Sequence, residues 1–305
     1  MFDRRGLLAG SCVLLLALVF LALKRDIQSH KTVASRSPSL HDGRTSTTDL
    51  EIGGELAGLP PETTQYIARA DLLALPQVSY SVTDDPNFAA PTTVQGVLLE
   101  DLPRTLGAAP TANLVVAICD DKYRANYPDE YMTHHHPLLV LEVNGQPPSG
   151  WPKDPGGGGF DMGPYMISHA RFVPAFKILS HSDEAQIPWG VVRLEFRNVA
   201  TVFGAISPPS ARNDATVDAG YKIAQQNCFR CHNMGNEGGQ KSGVPWEALA
   251  QVAAGSAQWF SAYVRDPKSK NPRAQMPANA EYDGETMRAL VSYFRTFTVM
   301  PAGKD

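Results

Sequence analysis

A chain of 305 residues has room for two folded domains and further segments, and its formal net charge of −4 leaves no basic footprint for nucleic acid. Apolar residues at 43% and charged residues at 19% describe a globular protein and exclude a disordered one. Of its four cysteines, two stand together near residue 230, while Cys12 and Cys119 are isolated, which argues against a disulfide framework.

Arg4 and Arg5 precede an uninterrupted apolar run from Leu7 to Leu23, about long enough to cross a bilayer as one helix. The run also satisfies a cleaved signal peptide, but no small-x-small site precedes Lys24, which favours an uncleaved anchor over residues 1–25. Arg4-Arg5-Gly6-Leu7-Leu8 resembles a twin-arginine signal, although paired arginines are also the ordinary charged start of such segments. Lipidation at Cys12 would need the apolar run before the cysteine, and here it follows. Residues 26–55 are rich in Ser, Thr, Lys and His and read as a solvated tether, with His30 and His41 exposed in it.

A first folded domain is expected over residues 56–207. Arg69 to Leu75 reads as a short helix stopped by Pro76, and Val78 to Val82 alternates as a strand. Leu98 to Leu106 is predicted helical, with Leu98, Leu99, Leu102 and Leu106 on one face. Leu114 to Ile118 and Pro137 to Val143 are short apolar runs, hence buried strands, the second ending in the turn signal Asn144-Gly145. Val191 to Val199 closes the domain as an alternating strand. Helices and strands mix without βαβ regularity, so the class is α+β.

The order of Ala70-Asp71-Leu72-Leu73-Ala74-Leu75-Pro76, Val94-Gln95-Gly96-Val97-Leu98-Leu99-Glu100-Asp101-Leu102, Asp121-Lys122-Tyr123 and Leu141-Glu142-Val143-Asn144-Gly145-Gln146-Pro147 resembles the molybdopterin-binding domain of the sulfite oxidase family. That resemblance implies a metal-binding cysteine after the strand at 78–82, yet Thr83-Asp84-Asp85-Pro86-Asn87 stands there. The family's Asp-Gly-Tyr is Asp121-Lys122-Tyr123, and its arginine after the late Gly-x-Pro is unmatched in Gly163-Pro164-Tyr165-Met166. The expectation is a retained fold without molybdopterin.

Three further features of this domain carry less. His134-His135-His136, read on a strand, can put only His134 and His136 on one face, and two ligands do not make a metal site. Cys119, ending a buried strand, reads as a small hydrophobe. Gly156 to Gly159 lacks the Gly-Lys-Ser/Thr of a phosphate loop and reads as a surface loop between Pro155 and Phe160.

Ser207-Pro208-Pro209-Ser210 marks a boundary, and a second domain is expected over residues 211–301. It contains Cys228-Phe229-Arg230-Cys231-His232, the C-x-x-C-H spacing of a c-type haem. Two intervening residues bring both thiols to one edge of a porphyrin, and the next residue, His232, turns its imidazole under the ring as proximal iron ligand. C-x-x-C also occurs in thioredoxin-like redox pairs and zinc ribbons, but no βαβ unit surrounds it and no second ligand pair follows.

Ala219-Gly220-Tyr221 opens a helix toward Cys228, and Trp259 to Asp266 forms a middle helix stopped by Pro267. Glu285 to Phe297 forms a last helix with Met287, Leu290, Val291 and Phe294 on one face. In this order around the haem motif they resemble a small class I cytochrome c. The resemblance places the distal methionine at Met276, in Ala274-Gln275-Met276-Pro277. Met234 lies on the proximal side, Met287 on the packed helix face and Met300 beyond it.

The expected architecture is thus an N-terminal transmembrane helix, an α+β sulfite-oxidase-like domain and an all-α cytochrome c domain. One covalent haem c would be held by Cys228 and Cys231, with His232 and Met276 as axial ligands. Lys24 and Arg25 balance Arg4 and Arg5, so the charge rule leaves orientation open. The resemblance decides it, implying haem attachment outside the cytoplasm, hence a single-pass bacterial inner-membrane protein with periplasmic domains and redox partner proteins in a membrane complex. The function expected is single-electron transfer. A molybdenum oxidoreductase with a fused haem acceptor and a partner-binding scaffold remain the alternatives.

Overall fold

The computed structural model describes residues 38–154, 158–172, 186–208 and 214–298. The apolar run at 7–23, Cys12, His30, residues 155–157 of the glycine-rich loop and Pro209-Ser210 lie outside the described residues. Among the described residues no helix is long and apolar enough to cross a membrane.

Part of the segment expected as tether, residues 40–54, supplies strands to the sheet domain. β1 (Leu40–His41), β2 (Leu50–Gly54) and β3 (Gln65–Ile67) belong to the main sheet, and Leu50 and Ile52 are fully buried. His41 is a strand residue, stacked on Tyr66 at 6.0 Å, rather than part of a solvated tether. The sheet continues through β4 (Val78–Val82), β5 (Thr92–Leu98), β6 (Leu114–Cys119), β7 (Arg124–Pro128), β8 (Leu138–Val143), β9 (Tyr165–Ser168) and β10 (Trp189–Arg197). Its order is β1-β3-β2-β10-β9-β8-β5-β4, with the β6–β7 hairpin branching from β10. β10 therefore meets three partners: β2 in parallel, and β6 and β9 antiparallel.

Short helices punctuate the sheet. α1 (Arg69–Ala74) ends before Pro76 as predicted. The helix predicted over 98–106 is mostly something else: Leu98 still pairs with Leu138 in the ladder, Leu99–Asp101 is a 3-10 turn, and only α2 (Leu102–Thr105) is α-helical. The last strand stops at Arg197, because the Asn198 side chain accepts a hydrogen bond from Ala200 N at 2.9 Å and caps α4 (Val199–Gly204). Asn144 and Gly145 both take positive φ, 51° and 71°, as a tight turn demands.

The histidine triplet lies on a helix, not a strand. α3 (Asp129–His135) follows Pro128, and His136 takes the left-handed position that ends it. Adjacent helical residues point apart: His135 stacks on Phe172 at 4.4 Å, while His136 Nδ1 lies 3.0 Å from Glu100. No group of three or more His, Cys, Asp or Glu among the described residues is arranged to hold a metal ion.

The C-terminal part is helical: α5 (Ala215–Gln226), α6 (Trp246–Gly255), α7 (Ala257–Arg265), α8 (Pro267–Lys270) and α9 (Gly284–Arg295), with a small hairpin of β11 (Asn233–Met234) and β12 (Glu237–Gly238). Asp214 caps α5 through bonds from Thr216 N and Val217 N, so the helix starts earlier than Ala219. α6 was not predicted. α5 crosses α9 at Gly220, where an added Cβ would sit 2.1 Å from the Ala289 carbonyl oxygen. Met287, Leu290, Val291 and Phe294 are buried together, as their spacing predicts.

Sheet and helices share one apolar core. Leu114 and Val116 of β6 and Val202, Phe203 and Ile206 around α4 pack with Phe229, Trp246, Leu290 and Phe294. Across this seam the Tyr293 hydroxyl donates to Ile206 O at 2.6 Å and the Tyr221 hydroxyl to Phe203 O at 3.1 Å.

Gly220→Ala discriminates packing from propensity. Helix propensity alone would stabilise by about 1 kcal/mol, whereas overpacking against backbone is expected to destabilise by roughly 1–3 kcal/mol. A thermal melt with a raised midpoint would refute the close α5–α9 approach. A second expectation concerns acid. Burial, and then the charges of His134 and His136, depress the pKa of His135 from 6.5 to about 4. Between those values the unfolded chain binds a proton that the folded chain refuses, so this stability is complete above pH 6.5 and lost as pH falls to about 4. His135→Phe keeps the ring against Phe172 and should lose less stability than the parent between pH 7 and 4.5 in denaturant titrations; equal losses would refute it.

Candidate haem site

α5 delivers the site. Its C-terminal residue is followed by Asn227, and Cys228–Arg230 tightens into a 3-10 turn in which Cys231 N and His232 N both donate to Cys228 O, at 3.2 and 3.0 Å. This turn sets Cys228 and Cys231, both half-buried, a turn apart, with His232 next in line. Phe229 is fully buried and meets Trp246 edge-on at 5.5 Å.

His232 is 9% exposed, and its Nδ1 lies 2.8 Å from Val244 O and 2.9 Å from Ser242 Oγ. A carbonyl oxygen only accepts, so Nδ1 carries the proton and Nε2 is left with its lone pair. Burial lowers the His232 pKa, against the raising effect of the Val244 bond, and so favours the neutral imidazole that binds metals. Ring orientation, tautomer and protonation state all suit an axial iron ligand.

The segment carrying these acceptors presses on the motif. Gly239 N donates to Phe229 O at 2.9 Å, and Ser242 N to Cys231 O at 3.1 Å. A Cβ on Gly239 would fall 1.7 Å from Arg230 O, and one on Gly238 2.5 Å from His232 O. Only glycine permits backbone to lie that close.

Met276 lies in the loop between α8 and α9, half-buried against the same core as Phe229 and Trp246. The loop is pinned to the motif: Asn227 Nδ2 donates to Asn279 Oδ1 at 2.8 Å and to the Tyr282 hydroxyl at 2.7 Å. Asn279 Nδ2 in turn reaches Val264 O and Pro277 O. The residue before Cys228 thus holds the residues that follow Met276. Sequence reasoning missed Asn227, Asn279, Ser242 and Val244. Gly238-Gly239 was the available signal of close approach, whereas a backbone acceptor such as Val244 O leaves none.

In the sheet domain, Asp84, Asp85 and Asn87 are committed to internal bonds. Asp85 accepts from Ser168 Oγ at 2.7 Å and from Asn87 N at 2.9 Å, and Asp84 from Phe172 N at 3.1 Å. Burial raises the Asp85 pKa, opposed by the bonds from Ser168 and Asn87. Cys119 is 4% exposed, and burial, then Asp121 and Asp120, push its thiol pKa far up. Lys122 takes φ +69°, a backbone conformation that glycine adopts most easily.

Residues 215–294 match the family described as cytochrome C oxidase, cbb3-type, subunit III. Among solved structures, the sulfane dehydrogenase SoxCD from Paracoccus pantotrophus is similar at 16% identity and a TM-score of 0.33, over 52% of this chain and 41% of that one. The chain therefore spans less than half the length of that protein chain. No curated protein matches. A cytochrome c domain implies one covalently bound haem c, and the donors around His232 fit it. The helical C-terminal part of this chain, residues 215–294, is a c-type cytochrome domain, joined to a large mixed sheet.

Proposed function

We propose that the chain is a monohaem c-type cytochrome that passes single electrons within or to a respiratory or dehydrogenase complex. The observation that carries this reading is His232: its Nδ1 proton is spent on Val244 O, leaving Nε2 for iron beside the two thiols of a C-x-x-C-H turn. Cys228 and Cys231 would hold the porphyrin, and His232 and Met276 would supply the ligands to its iron. The bound group supplies one-electron chemistry, and a thioether ligand favours its ferrous state. The chain's own residues bury the site, fix the imidazole and pin the methionine loop through Asn227 and Asn279. The match to subunit III of an oxidase supports a respiratory setting.

The sheet domain serves on this reading as a platform without molybdenum chemistry. Residues 83–87 offer no thiolate, their two carboxylates already accept bonds from the protein, and the Cys119 thiol is buried and protonated. The run at 7–23 is a single uncleaved anchor, with both domains on the periplasmic face of a bacterial inner membrane. Its apolar length supports this, and an intact N-terminus in membranes with protease access from outside would test it.

Denaturation in acid and organic solvent should leave the porphyrin on the chain; free haem would overturn the reading. Met276→Ala should keep attachment but open the sixth position to added ligands, and an unchanged low-spin spectrum would mean another ligand. Metal analysis of protein made in a host that synthesises the pterin should find iron near about one per chain and molybdenum at background. Stoichiometric molybdenum, lost in Cys119→Ser, would make the chain an enzyme.

A further inference from the structure

The segment that carries the acceptors for His232 Nδ1 is fastened to the sheet domain at two places. At its start, Glu237 sits between two sheet arginines. Arg197 Nη2 binds Glu237 Oε1, and Arg124 Nη1 lies 3.5 Å from Glu237 Oε2. The three side chains are between 13% and 17% exposed. Both arginines also face Glu195, at 3.5 Å from Arg124 and 3.2 Å from Arg197. Burial pushes the Glu195 pKa up, but Arg124, Arg193 and Arg197 outweigh it and hold the group ionised. The clamp is thus a network of fixed charges built on β7 and β10.

At its middle, Gln240 N donates to Lys122 O at 3.1 Å, and Lys241 Nζ pairs with Asp121 Oδ2. Lys122 and Asp121 form the turn of the β6–β7 hairpin, where Lys122 holds its left-handed φ of 69°. Between the two fastenings run Gly238 and Gly239, in closest contact with the backbone of the haem motif. Just beyond the second come Ser242 and Val244, the partners of His232 Nδ1.

We propose that the β6–β7 hairpin and Arg197 position the proximal ligand: by clamping Glu237, Gln240 and Lys241 they hold Val244 O and Ser242 Oγ on His232 Nδ1, and so set the reduction potential of the haem from the other domain. The chemistry follows from the hydrogen bond. A strong Nδ1–H···O bond makes the imidazole a better donor and favours ferric iron, and outer hydrogen bonds are a main lever on such potentials. Loosening the clamp lengthens this bond and raises the potential. The inference rests on the cytochrome reading above.

The test uses the matured full-length protein, with Asp121→Asn, Glu237→Gln, their combination, and the exchanged pair Asp121→Lys with Lys241→Asp. Glu285→Gln, an exposed carboxylate away from the seam, controls for loss of charge alone. Two quantities are read: the midpoint potential, and the solvent exchange of the His232 Nδ1 proton by NMR in the ferrous state. The combined variant should shift the oxidised–reduced equilibrium about tenfold toward reduced, about 59 mV for a one-electron couple, with exchange accelerated about tenfold as well. The exchanged pair should return both toward the parent, and Glu285→Gln should leave exchange unchanged. Variants with full covalent haem and parental potential and exchange would overturn the inference while leaving the cytochrome reading intact. A shifted potential with unaltered exchange would also overturn it, since only through-space charge would then be at work. An unmodified protein without covalent haem would overturn the cytochrome reading itself.

Discussion

β6 is buried on both faces, and the rest of the molecule depends on that constraint. Val115, Ala117 and Cys119 point into the core of the sheet domain, while Leu114 and Val116 point into the core shared with the helices. A strand covered on both sides must be apolar throughout, which is why its sequence runs without alternation. Burying one side with the helical domain makes the two domains a single packed body: α4, Phe229 and Trp246 meet there, and Phe229 belongs to the haem motif itself. Hydrogen bonds from Tyr221 and Tyr293 to the end of α4 add only about 1 kcal/mol each, but they fix the register of helices on sheet.

Charges at this seam matter for direction more than for stability. Exposed pairs such as Lys241 with Asp121 are worth little alone. Arg124, Arg193, Arg197, Glu51, Glu195 and Glu237 instead form a connected, mostly buried set in which each charge faces an opposite one. Removing one member would strand its partners in a poorly solvated place, which is costly. Such a network tolerates few arrangements, and the arrangement it selects places the loop of residues 237–244 against the haem motif.

The turns and loops of the sheet domain are occupied by internal bonds. Lys122 occupies a left-handed backbone position where glycine would be easier, and the carbonyl it presents receives Gln240 N. Asp84 and Asp85 are absorbed into bonds with Phe172 N, Ser168 and Asn87.

The haem motif, the amphipathic last helix and the strands at 78–82, 114–118 and 137–143 were legible from residues alone, because their signals are local: a fixed spacing of thiols and imidazole, a 3.6-residue period, an apolar run. Leu50 to Gly54 was misread as tether because a strand with few apolar residues becomes core only through β10, its partner some 140 residues away. The histidine triplet was misread because Pro128 and two acidic residues, Asp129 and Glu130, start a helix there, a signal weaker than the triplet itself. α6 escaped because alanines mark its buried face. Sequence alone nominated Cys228, Cys231 and His232, since the signal lies within five consecutive positions. Tertiary structure alone decided the tautomer of His232, the pin from Asn227 to the methionine loop and the clamp on Glu237, because each depends on backbone carbonyls and charges brought together from distant parts of the chain.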